Sequence, residues 1–87
     1  ERDDKIAVEW FRKAAGQNHK VAQHWLGKMY TSGRGVEKDV VTAYAWFSMA
    51  SAESNKDRLT KEMSHEQITE AEVLANEFRQ QMETDEN

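Results

Sequence analysis

Apolar side chains in this chain recur at three- and four-residue intervals, and that spacing predicts helices from end to end. Ile6, Ala7, Trp10, Phe11 and Ala14 form the first stripe. Asp3 is placed to cap its helix, and Gly16 and Asn18 are placed to end it. A second helix is predicted over about 20–31, with Val21, Ala22, Trp25, Leu26, Met29 and Tyr30 on one broad face. Ser32-Gly33-Arg34-Gly35 reads as a turn whose glycines permit positive φ. Asp39 then caps a third helix to about residue 52, with Val40, Ala43, Trp46 or Phe47, and Ala50 facing inward. A short helix is expected from Ser54 or Asn55 to about Met63. Ser64 and Gln67 have the spacing of a capping box. They open a final helix over about 65–81, with Ile68, Ala71, Val73 or Leu74, Ala75 and Phe78 on its apolar stripe. No segment alternates with the period of a strand, and the polar residues 83–87 read as a frayed tail.

The chain also repeats itself. Shifted by 36 positions, Glu1 meets Glu37, Asp3 meets Asp39, Ala7 meets Ala43, Trp10 meets Trp46, Phe11 meets Phe47 and Ala14 meets Ala50. A Trp-Phe pair recurring in register at this period is the signature of a helix-turn-helix solenoid. The expected fold is all-α: antiparallel helix pairs stacked as a solenoid.

The residues carry a more specific pattern. Ala22-Gln23, Leu26-Gly27, Met29-Tyr30, Gly33, Gly35-Val36 and Asp39 occur in order, followed by Ala43, Trp46, Phe47, Ala50 and Ser51. This series resembles the Sel1-like repeat family, a branch of the tetratricopeptide-type α-solenoids. On that resemblance, 1–19 is the second helix of a preceding repeat and 20–52 is one complete repeat. Residues 53–63 are then a degenerate short helix and 64–82 the closing helix. The resemblance implies a short piece of right-handed superhelix with the first helix of each repeat on its concave side. It also implies a C-terminal fragment of a longer, bacterial array, and a non-enzymatic adaptor or scaffold that binds a peptide or protein surface in the concave groove. Self-association, or capping of a longer array, is the alternative. Two residues depart from the pattern: Asn18 stands where glycine is common, and Trp25 where the family usually has a small or polar residue.

Most of the pattern reads as packing. Ala22, Gly27, Ala43 and Ala50 are small where helices must approach closely, while Leu26, Tyr30, Phe11 and Phe47 fill the layer between them. Trp10 and Trp46 are expected in the core or between repeats, with a ligand platform as the second reading. Trp25 is the strongest binding candidate. Val21, Trp25 and Met29 make a stripe beside the core stripe, and Gln23, His24 and Lys28 would form a polar rim.

Composition narrows the chemistry. Absence of cysteine removes disulfides, thiol nucleophiles and thiolate metal sites, and leaves the compartment unassigned. Gly33-Arg34-Gly35 lacks the third glycine and the preceding strand of a nucleotide loop. His19 and His24 fall on different sides of a helix, and Glu62 and His65 are separated by the helix start at Ser64, so no metal or other cofactor is expected. Ser48, Ser51 and Ser54 have no partnered histidine, and no catalytic constellation is visible. The formal charge of −4 makes nucleic acid an improbable partner, and no apolar run reaches membrane-spanning length. That charge is uneven. Residues 1–36 hold seven basic and four acidic side chains, and 37–87 five basic and twelve acidic, a polarity compatible with head-to-tail association.

Overall fold

Local side-chain chemistry sets where the helices start. A carboxylate at Asp3 accepts a hydrogen bond from the Ile6 N–H at 3.4 Å, and one at Asp39 accepts from the Thr42 N–H at 3.2 Å. His19 does the same through Nδ1, accepting from the Ala22 N–H at 3.2 Å. Ser64 and Gln67 close the capping box in both directions: the Gln67 N–H donates to the Ser64 hydroxyl at 3.1 Å, and the Ser64 N–H to the Gln67 side-chain oxygen at 2.9 Å. The elements so delimited, in a computed structural model that describes residues 3–85, are α1 (Asp4–Gly16), α2 (Lys20–Ser32), α3 (Val40–Met49), α4 (Glu53–Thr60) and α5 (His65–Asp85). There is no strand among the described residues. Only α4, the shortest, has a cap position, Ala52, that offers no side-chain acceptor.

The first three helices end alike. A residue with left-handed backbone follows the last turn: Asn18 at φ 66°, Gly33 at φ 75° and Ser51 at φ 59°. The next N–H then reaches back five residues, from His19 to Ala14, from Arg34 to Met29 and from Ala52 to Phe47. This closure at Ser51 ends α3 at Met49, three residues before the sequence expectation. At the other end, α5 continues to Asp85 through positions expected to fray; residues 86–87 lie outside the described residues.

Short connections fold each helix back on the last. α2 packs between α1 and α3, and α3 packs against α2, α4 and α5. Two apolar clusters result. Val8, Ala15, Ala22, Leu26, Met29, Trp46 and Met49 bury themselves where α1, α2 and α3 meet. Ala43, Tyr44, Phe47, Leu59, Met63 and Ala71 do so where α3 meets α4 and α5. The thinnest dimension, 19 Å, corresponds to two helix layers at the usual spacing of about 10 Å. Gly27 lets α2 lie close against Phe47 of α3. A Cβ there would come within 2.6 Å of a ring carbon of Phe47. Of the other repeat positions, Ala22, Leu26, Ala43 and Phe47 are buried, and Tyr30 and Ala50 half-buried.

Two expected core positions on α1 differ. Trp10 is 70% exposed and Ile6 is exposed as well, because α1 turns Val8 and Ala15 toward the core instead. Trp46, the same repeat position on α3, is only 8% exposed. It stacks on Phe78 of α5 with ring centroids 4.3 Å apart, a neighbour that Trp10 lacks. On α5, of the alternatives Val73 and Leu74, Leu74 is the one turned inward, half-buried, while Val73 faces outward.

Candidate functional site

The outer face of α2 carries Val21, Trp25 and Lys28 at helical spacing, all exposed. Trp25 is 42% exposed and still held in place. Its indole stacks on Phe11 of α1 with centroids 6.2 Å apart and planes 11° off parallel. The Lys28 ammonium lies 4.7 Å from the indole centroid on the same helix. Stacking and a cation over the ring restrict the indole without hiding it.

Trp25 forms part of the wall of an open groove of about 690 Å³. Ala7 and Phe11 of α1 line one side, and Arg58 and Leu59 of α4 the other. Met29 and Phe47 lie beneath, each almost fully buried. The rim is charged. Arg34 pairs with the half-buried Asp4 at 3.3 Å and Lys38 with Glu62 at 3.7 Å, solvent-accessible pairs that add little to stability.

The four residues singled out for binding, Trp25 and its expected rim of Gln23, His24 and Lys28, separate into two groups. Trp25 and Lys28 stand together on the groove. Gln23 does not reach it and is corrected to a packing residue: it is fully buried, and its side-chain N–H donates to the Ala15 carbonyl at 3.0 Å and to Asn18 Oδ1 at 3.3 Å. Its own oxygen finds no partner among the described residues. His24 is half-buried behind the groove, hydrogen-bonded to Asn55 at 3.2 Å and tilted over Phe47. Met29, expected in the Trp25 stripe, turns into the core, and Lys28 takes its place on the outer face. Arg58 and Leu59 were missed altogether, since nothing local marks a short, uncapped helix as a groove wall.

The glycines of the 33–35 turn serve packing. Gly35 has φ 75°, and a Cβ on it would overlap the Asp4 carbonyl oxygen, so this loop closes tightly on the start of α1. Among the described residues, no group of three or more His, Asp or Glu side chains is placed to hold a metal ion. No helix among them is long and apolar enough to cross a membrane.

Comparison with known proteins agrees with this architecture. The chain is 36% identical to c5321, described as a protective antigen present in uropathogenic Escherichia coli strains displaying an SLR fold, and superposes on its crystal structure with a TM-score of 0.89. That match covers 92% of this chain and 19% of the antigen. The chain is also 30% identical over 61 residues to the chitin synthase regulator SKT5 of Saccharomyces cerevisiae, covering 70% of this chain and 9% of that protein. It thus spans less than a tenth of the curated relative. The profile of the Sel1 repeat matches residues 1–19 and 20–55. With more than half its length matched and five helices in the repeat fold, the chain belongs to the Sel1 repeat family, helical repeat modules that typically mediate protein interactions.

Proposed function

We propose that the groove between α1, α2 and α4 is a non-enzymatic docking site for a peptide or protein segment, anchored on Trp25. One observation carries this reading: a large aromatic side chain is 42% exposed beside a groove of about 690 Å³, yet is fixed by Phe11 and Lys28. An anchor restrained before binding loses little side-chain entropy when a partner arrives. Trp is among the residues that dominate interface energetics when desolvated. The yeast relative is named as a regulator of an enzyme, which is compatible with an adaptor role here. The test is an affinity selection of short peptides on the 87-residue chain, repeated on Trp25→Ala. Ligands selected by the first and lost by the second, with circular dichroism unchanged, support the proposal. Ligands that bind both variants equally contradict it.

A second reading rests on a different face. Ala43, Trp46, Phe47 and Ala50 are buried or half-buried against neighbouring helices, while the matching Trp10 on α1 is bare and Ala7, Phe11 and Ala14 are only half-buried. A helix seated on α1, from another copy or from a longer array, would complete that repeat. Sedimentation over a wide concentration range distinguishes the two. Association abolished by Trp10→Ala favours the second reading, and a monomer throughout removes self-association.

A further inference from the structure

The groove's charges point to one class of partner. Of its two carboxylates, Asp4 is already paired with Arg34 and Glu62 with Lys38. Lys28 and Arg58, both exposed on the groove, make no ion pair with a carboxylate among the described residues. The chain as a whole is acidic, at −4. That net charge does not govern the groove, because screening at physiological salt confines exposed charges to about 8 Å. The local excess is positive, and it flanks an apolar wall made by Trp25, Phe11 and Ala7.

Resting on the docking role proposed above, we infer that the preferred occupant is an acidic protein segment: one bulky apolar side chain against the Trp25–Phe11 wall, with Asp or Glu side chains beside it for Lys28 and Arg58. A nucleic acid strand fits less well. Binding to phosphate backbones draws on many cations neutralising successive phosphates, and two on an acidic chain do not provide that. A basic or neutral apolar segment would leave both cations without a counter-charge.

The experiment is phage display of short random peptides on the 87-residue chain and on three variants: Lys28→Glu with Arg58→Glu, Lys28→Arg, and Trp25→Ala. Lys28 and Arg58 are exposed, so the charge reversals leave the helices intact, with circular dichroism as the check. The expected result is enrichment of Asp and Glu around an apolar centre on the native chain. That preference persists with Lys28→Arg and inverts to Lys and Arg on the double reversal. A selected acidic peptide, made synthetically, should bind the double reversal about tenfold more weakly, since two exposed ion pairs are lost. Binders that need Trp25 but show no acidic bias, or an oligonucleotide that outcompetes them, overturn the inference of an acidic segment. Failure to select any binder that Trp25→Ala weakens overturns the docking role itself.

Discussion

Phe11 and Trp25 stack, near-parallel and offset, across the α1–α2 interface, their planes 11° from parallel and their centroids 6.2 Å apart. The contact joins the two stretches that match the Sel1 repeat, 1–19 and 20–55, so the proposed anchor also ties them together. Aromatic pairs in this geometry contribute about 0.5–1.5 kcal/mol beyond the area they bury. A double-mutant cycle of Phe11→Ala and Trp25→Ala, measured by urea unfolding, should give a coupling of about 1 kcal/mol. Additive losses would mean that the rings do not support each other.

Equivalent tryptophans in the two repeats should differ sharply. Trp46 is buried on Phe78, and Trp46→Ala should cost about 3–5 kcal/mol. Trp10 is 70% exposed, and Trp10→Ala should stay within about 0.5 kcal/mol at low concentration. A large cost for Trp10 would show that something covers α1 in solution.

Two glycines should prove intolerant for different reasons. Gly27→Ala pushes a methyl into the Phe47 ring, which can shift, so a loss of about 1–3 kcal/mol is expected. Phe47→Leu, made in that background, should cost less than Phe47→Leu alone. Gly35→Ala meets the Asp4 carbonyl, a backbone atom, at a φ of 75°, and should cost more than Gly27→Ala. Thermal unfolding of the four variants, Gly27→Ala, Phe47→Leu, their combination and Gly35→Ala, tests the order.

Gln23 separates structure from binding. Gln23→Ala removes the donor to the Ala15 carbonyl and to Asn18 and should lower stability by about 1–3 kcal/mol. Ligand affinity of the folded fraction should not change, because the side chain is fully buried. A selective loss of affinity at unchanged stability would return Gln23 to the binding surface.

These contrasts also show what the sequence makes legible. Caps at Asp3, Asp39 and Ser64 and the turns at Asn18 and Gly33 are readable because each depends on a few neighbouring residues. The orientation of α1 is not. Its apolar residues run from Ile6 and Trp10 through Ala7, Phe11 and Ala14 to Val8, around more than half the helix, and only packing on α2 decides which part is covered. Gln23 looks like a rim residue by type, and its burial depends on the Ala15 carbonyl, eight residues away. The groove was half legible. Trp25 stands out as an aromatic on the wrong side of the core stripe, whereas Arg58 and Leu59 reach it only through the placement of α4 against α3.

The most direct test of the docking account is an NMR titration of the 87-residue chain with a selected peptide, following the three tryptophan indole N–H signals, each assigned by replacement with phenylalanine. The account predicts that the Trp25 signal moves with saturation, the backbone amides of Lys28 and Arg58 move with it, and Trp10 stays still. Perturbation centred on Trp10 and Ile6, with Trp25 unmoved, would contradict it and place recognition on the open face of α1.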